Sequence, residues 1–146
     1  MIGLIQRVRE ASVSIHGEVV ATASRGMLVL VGFQRGDRAE QIERLIERLL
    51  NYRIFPDTDG RMNLSLRDIE GELLAVPQFT LAADTGRGNR PSFTSAASPE
   101  LGRELFEGFA HRLQAIWPAC AFGHFGADMQ VALVNDGPVT FWLELK

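Results

Sequence analysis

Apolar residues follow two different rhythms along this chain. From Met1 to Phe33 they run as strands: Ile2 to Val8, Ser12 to Ile15, Val19-Val20, and Met27 to Val31. His16-Gly17-Glu18 is predicted to be a hairpin turn, and the unbroken apolar run Met27 to Val31 a strand covered on both faces. Asp37 then reads as an N-cap, and Ile42, Leu45, Ile46, Leu49 and Leu50 recur at helical spacing until about Asn51-Tyr52. Ile54-Phe55-Pro56 favours an extended segment leading into a turn at Asp57-Thr58-Asp59-Gly60, and Gly71 to Phe79 reads as the next strand. A second helix is capped by Ser98, has Pro99 at its first position, buries Leu101, Leu105, Phe109, Leu113 and Ile116, and stops at Pro118. Ala121 to Phe125, Met129 to Val134 and Val139 to Leu145 read as strands, the last two joined by a turn at Asn135-Asp136-Gly137-Pro138. Strands on both sides of two separated helices predict one mixed α/β or α+β domain over residues 1–146, with mostly antiparallel pairing.

Composition narrows the class. With 46% hydrophobic and 23% charged residues the chain has the make-up of a globular domain with a sizeable core. A net charge of −3 argues against a broad polycationic surface that holds nucleic acid by phosphate neutralisation alone. Lys146 is the single lysine, so almost all positive charge is arginine, whose planar fork suits phosphate or carboxylate but is also ordinary surface chemistry. Cys120 stands alone, which excludes an intrachain disulfide and a cysteine-based metal cluster and makes a reducing, cytoplasmic setting the expectation. No apolar run approaches the ~20 residues that cross a bilayer, so no membrane association is expected.

Most candidate chemistry reduces to structure. His16, His111 and His124 are scattered, and neither a metal nor another cofactor is expected. Aligning Asp57, Asp59 and Gly60 to a calcium loop puts Phe55 and Leu66 at ligand positions, which leaves a turn. Cys120 with His124 is a conceivable nucleophile and base, yet lone cysteines are usually packing residues. Gly86-x-Gly88 lacks the strand and helix of a dinucleotide fingerprint, although Arg87 and Arg90 in the polar loop Ala82 to Phe93 are placed to approach a phosphate. Two segments resist dismissal. Pro77-Gln78-Phe79-Thr80-Leu81 ends a strand in an amide and a hydroxyl beside that loop, and Asn135-Asp136-Gly137-Pro138-Val139-Thr140 offers bare backbone at a Gly-Pro pair.

Together with Gly88-Asn89-Arg90-Pro91-Ser92-Phe93, these segments make the chain resemble the D-aminoacyl-tRNA deacylases, as do Met1 to Val8, Asn51 to Asn63-Leu64 and Ala127 to Val131. The resemblance covers nearly the whole chain. It implies sheets forming a barrel-like core with two main helices, and hydrolysis of the ester linking a D-amino acid, or glycine, to the 3′ acceptor end of tRNA. It also implies a homodimer in which the Gly137-Pro138 peptide, in the cis form, enters the partner's pocket as a chiral filter that excludes L side chains. Gln78, Phe79 and Thr80 would be the catalytic residues on the floor of the pocket, with backbone N–H groups stabilising the oxyanion. Ala82, Phe125 and Met129 would join Gly137 and Pro138 in holding and selecting the substrate, and Arg7, Arg87 and Arg90 would contact the tRNA.

Thr80 has no base beside it in the sequence, so water attack assisted by the vicinal ribose hydroxyl is the favoured route, with Thr80 positioning rather than attacking. One position departs from the family pattern: Pro77 stands where serine is common, so both a hydroxyl and a backbone N–H are lost and the strand must be an edge or leave its ladder there. The rival readings are a non-catalytic module that binds an aminoacylated RNA end or a D-amino acid, and an esterase acting covalently through Cys120 or Thr80. Because only the acceptor end would be gripped by a few arginines, tRNA affinity should fall shallowly with salt. A log–log slope corresponding to many released counterions in a filter-binding titration would contradict this.

Overall fold

The computed structural model describes residues 1–146. Its first element is β1, Ile2–Ile15, which runs without interruption through the exposed pair Arg9-Glu10 where the sequence pattern had suggested two strands. The strand stays continuous because both its edges are occupied. β2 (Glu18–Ala23) pairs antiparallel with Ala11 to Ile15, β3 (Gly26–Gly32) with Ile2 to Val8, and the last strand of the chain covers the opposite edge from Ile2 to Ser14. The β1–β2 turn has positive φ at both His16 (51°) and Gly17 (79°), the primed geometry that matches strand twist.

After β3 comes α1 (Ile42–Asn51), whose predicted residues Ile42, Leu45, Ile46, Leu49 and Leu50 are all buried. A two-stranded ribbon follows, β4 (Phe55–Pro56) with β5 (Met62–Leu64), its turn held by Asp57 Oδ1 accepting from the N–H groups of Asp59 and Arg61. A one-turn helix, α2 (Leu66–Ile69), was not anticipated. Ser65 caps it, and Asp68 in turn accepts from the Ser65 N–H and hydroxyl, which holds the Asp68 carboxyl below the usual carboxylate range.

Then come β6 (Glu72–Pro77), α3 (Pro99–Ile116), β7 (Cys120–Phe122) and β8 (Gln130–Glu144). β6 lies parallel to β3 and β7 parallel to β6, so each connection must cross over. The first crossover holds α1, the ribbon and α2, and the second holds the polar loop and α3. Other pairings are antiparallel, as expected. β2 comes up against β6 and β7, so the sheet curls into a nearly closed barrel.

Two hydrophobic clusters occupy the two faces. Val8, Val13, Leu28, Leu74 and Val76 fill the barrel, while Ile5, Val29, Val31, Leu73 and Ala75 face α1 and α3. Alternate residues of β3 belong to different clusters, which is why its sequence is apolar throughout.

Further expectations need correction, among them the strand expected over Gly71 to Phe79, which ends at Pro77 because Phe79 enters a 3₁₀ turn. β8 is one strand, not two strands joined by a hairpin turn. Ile116 is 42% exposed, because the last turn of α3 overhangs the core. The strand expected over Ala121 to Phe125 is only Cys120–Phe122, since the chain leaves the β6 ladder after Ala75. Asp37 does not cap α1: a 3₁₀ turn, Ala39–Gln41, leads into the helix, with the Arg38 N–H donating to the Gln41 side chain. Asp37 is turned inward instead, accepting from the Met1 ammonium at 2.8 Å and the Gln34 N–H at 2.7 Å. Met1 also donates to the Leu145 carbonyl, so this buried ion pair ties both ends of the chain to the end of β3. Removing one partner strands a buried charge. Asp37→Ala should therefore lose about 3–5 kcal/mol of stability, read as a lower urea midpoint at unchanged m-value.

Candidate functional site

β6 ends where its sequence can no longer serve two neighbours. Along β6 the N–H of Leu73 points to β7, donating to Ala119 O, and the N–H of Gln78 points to β3, donating to Val31 O at 2.7 Å. By alternation the nitrogen of Pro77 faces the β7 side, where that ladder has already stopped at the Gly123 N–H to Ala75 carbonyl bond. Pro77 thus stays paired with Val31 of β3 while its nitrogen faces an open edge, the edge position that its sequence allows, at the cost of no hydrogen bond.

The chain then makes a 3₁₀ turn, Phe79–Ala82. Gly32 permits it: a Cβ there would stand 2.9 Å from the Gln78 carbonyl oxygen and 3.0 Å from Leu81 Cβ. The Leu81 N–H is turned back to the Gln78 carbonyl, so the N–H groups of Phe79 and Thr80 have no acceptor within the turn. Gln78 Nε2 donates to Thr80 Oγ1 at 2.6 Å, and this amide is the only hydrogen-bond partner of the exposed hydroxyl. No carboxylate or imidazole reaches it.

Gln78 and Phe79 line a cavity of about 230 Å³ together with Val31, Phe33, Ser98, Gly102 and Phe125. Its wall is predominantly apolar. Phe125 is fixed by the Arg103 guanidinium 5.0 Å above its ring and by Phe106 behind it. Of the other predicted site residues, Ala82 is buried below the turn, its carbonyl held by the Ser95 hydroxyl. Met129 packs against the barrel cluster, and its Sδ accepts from the His124 N–H at 3.4 Å. Neither Ala82 nor Met129 lines this cavity.

Gly137 and Pro138 lie elsewhere. On β8, Thr140 pairs with Gln6 and Asn135 with Val8, so residues 136–139 bulge out opposite the single residue Arg7. The Gly137-Pro138 peptide is cis, Gly137 has φ +146°, and a Cβ on it would come within 2.6 Å of Val139 Cγ2 and 3.2 Å of Arg7 Nη2. Arg7 secures the bulge: its Nε donates to the Asp136 carbonyl and its Nη1 to the Ile54 carbonyl, both at 2.8 Å. Asn135, which sequence reasoning placed in the motif without a role, closes it from the other side. Its Oδ1 accepts from the Val139 N–H and its Nδ2 donates to Thr140 Oγ1. Gly137 and Pro138 remain exposed. Arg7 and Gly3, the β1 position level with Val31 and hence with Gln78, are four residues or about 13 Å apart along the strand. Within one chain the two motifs therefore do not meet.

Arg87 and Arg90 are exposed on a loop closed by the paired backbones of Asp84 and Ser92. Neither has an acidic partner. Arg103 was not singled out from the sequence, because nothing in its helical spacing shows that Phe125 lies beneath it.

A model of the family described as D-Tyr-tRNA(Tyr) deacylase matches residues 4–144. The chain belongs to this family. A relative from Nitrosococcus oceani named D-aminoacyl-tRNA deacylase is 59% identical over 145 residues, 99% of this chain and 94% of the relative. One from Alkalilimnicola ehrlichii with the same name is 58% identical over 146 residues, covering 100% and 97%. Among solved structures, the c-Myc DNA unwinding element binding protein superposes with a TM-score of 0.95 at 36% identity, over 100% of this chain and 99% of that one. A probable eukaryotic D-amino acid tRNA deacylase shares the fold, with a TM-score of 0.87 at 17% identity over 99% and 98%.

Cys120 opens β7, is half-buried, lines no part of the cavity and makes no hydrogen bond with His124. Burial pushes its thiol up to about 11. A raised thiol pKa means the protonated, unreactive form below that pH. Alkylation of the folded protein by iodoacetamide at pH 8 should accordingly run about 100-fold slower than for an unperturbed thiol and rise tenfold per pH unit toward 11, with Cys120→Ser fully active. Rapid alkylation coupled to loss of activity would return Cys120 to the site.

Proposed function

We propose that this chain hydrolyses the ester that joins a D-amino acid, or glycine, to the 3′-terminal ribose of tRNA, and that it does so as a homodimer. Membership of the family and relatives named for D-aminoacyl-tRNA deacylation support the reaction. The observation that carries the dimer is the braced, exposed Gly137-Pro138 bulge about 13 Å along β1 from the cavity it would complete. A loop that is rigid, uncovered and remote from its own cavity suits insertion into the cavity of a second copy. β8 supports this further. Its outer edge is unpaired, and it exposes Val134, Phe141 and Trp142 at 44%, 36% and 50%, surface that a partner would cover.

In the assembled site the backbone of Gly137 and Pro138 would meet the substrate's amino group and α-carbon. Backbone held by Arg7 and Asn135 cannot retreat, so an L side chain would collide while a D side chain or hydrogen would not. Water attacks the ester carbonyl carbon, and the oxyanion is met by the free N–H groups of Phe79 and Thr80. The carbon–oxygen bond to the ribose then breaks, and the departing ribose oxygen takes up the proton, the neighbouring ribose hydroxyl assisting. Thr80 orients through Gln78 rather than attacking, since an amide is no base for its hydroxyl.

Release of amino acid from D-tyrosyl-tRNA and L-tyrosyl-tRNA in EDTA tests the whole reading. Selective hydrolysis of the D form is expected, with Thr80→Ala lowering kcat by no more than about 100-fold. Binding of tRNA without turnover would instead indicate a binding module, and equal hydrolysis of both would remove the filter. Sedimentation giving an active monomer would remove the cross-subunit arrangement.

A further inference from the structure

A second concavity continues directly from the candidate site. It has a volume of about 440 Å³ and shares Phe79, Ala97, Ser98 and Pro99 with the first cavity, adding Phe93 and Arg35 among its walls. Phe79 and Phe93 stand with ring centroids 5.2 Å apart at 52°, and both are unusually open to solvent for phenylalanine, at 56% and 43%. Within one chain nothing packs over this aromatic pair. Exposed rings beside a charged side chain are what a single-stranded base stacks on.

Arg35 supplies the charge. Its side chain is exposed and makes neither an ion pair nor a hydrogen bond, although other arginines of the site, Arg7 and Arg103, are engaged by carbonyls or a ring. Its backbone is fixed in place, the Arg35 N–H donating to the Ser95 carbonyl at 2.8 Å and the Ala97 N–H to the Phe33 carbonyl at 3.0 Å. No acidic residue lines the groove. An unpaired guanidinium carried on a fixed backbone in the wall of an aromatic groove is complementary to a phosphodiester with a base attached.

We propose that this groove holds the nucleotide immediately 5′ of the terminal adenosine, its base against Phe79 and Phe93 and its phosphate on Arg35. The inference rests on the proposed hydrolysis of aminoacyl-tRNA and adds to it a determinant for the RNA rather than for the amino acid. Such a contact raises affinity for a polynucleotide substrate without touching the ester, so it separates substrates by length.

The test compares the wild type with Arg35→Gln and Phe93→Ala on D-tyrosyl-tRNA and on the minimal ester 3′-D-tyrosyl-adenosine. Each variant should lose about tenfold in kcat/KM on the tRNA, carried by KM, and keep wild-type rates on the nucleoside ester. Arg35→Gln should also reduce the salt slope for tRNA by about one phosphate contact. Equal losses on both substrates, or no loss on the tRNA, would overturn the proposal. A wild type inert on both substrates would instead overturn the reaction, and calorimetric titration with 5′-phosphorylated cytidylyl-adenosine then decides the groove: binding weakened by either variant upholds it, whereas absent or unaffected binding refutes it.

Discussion

The pairing of β1 with three other strands is the constraint from which the rest of the molecule follows. One edge of β1 is given entirely to β8, and the other is divided between β3 and β2. A strand so enclosed has no free backbone groups along most of its length, and its neighbours inherit its twist. Splitting one edge between two strands forces the sheet to curl, because β2 and β3 cannot both remain in one plane as they diverge from a twisted partner. The curl places Leu28, Leu74 and Val76 inside a barrel and leaves Val29, Val31 and Ala75 for the helices outside.

The same pairing makes the four-residue bulge at 136–139 possible. Such an excursion in an isolated hairpin would slip its register, but here the ladder is anchored on both sides, by Gln6 to Thr140 and Val8 to Asn135. Within the excursion, polar groups of side chains replace the missing ladder. Arg7 satisfies the carbonyl of Asp136, and Asn135 satisfies the N–H of Val139, so the bulge keeps these backbone groups bonded without a ladder partner. The outcome is backbone held at fixed position with glycine's hydrogen, not a side chain, at its surface.

At the other end of the sheet, the two parallel pairings leave β3 and β6 ending side by side with connections departing on the same side. Strand ends of this kind are where α/β folds place reacting groups, since the scaffold is rigid while the following turn is free to take any conformation its residues permit. Pro77 sits past the end of the β7 ladder, Gly32 admits the turn, and the N–H groups of Phe79 and Thr80 are left without partners in the 3₁₀ turn. The chain's modest acidity is compatible with an RNA substrate because three of its free arginines, Arg35, Arg87 and Arg90, lie on segments beside this end.

Periodicity alone determined much of this protein: the α1 and α3 stripes, the Ser98–Pro99 helix start, the hairpin at His16-Gly17 and the two-sided burial of β3 all rest on contacts between residues close in sequence or on one repeating face. The segments around Gln78 and Gly137 stood out through their resemblance to a family, whereas the edge position of Pro77 was legible by itself, because proline has no N–H to give a second neighbour. What the sequence left open depends on partners far along the chain. Asp37 looks like a cap until Met1 arrives beside it, and Asn135 to Pro138 looks like a turn until β1 runs past both sides of it. The assignment of Arg7 to the bulge, of Arg103 to Phe125 and of Arg35 to an unpaired place in a groove was likewise decided only by tertiary structure. A long cationic side chain carries no record of its partner in its sequence neighbours; its role is set by whichever carbonyl, ring or open surface the folded chain brings within its reach.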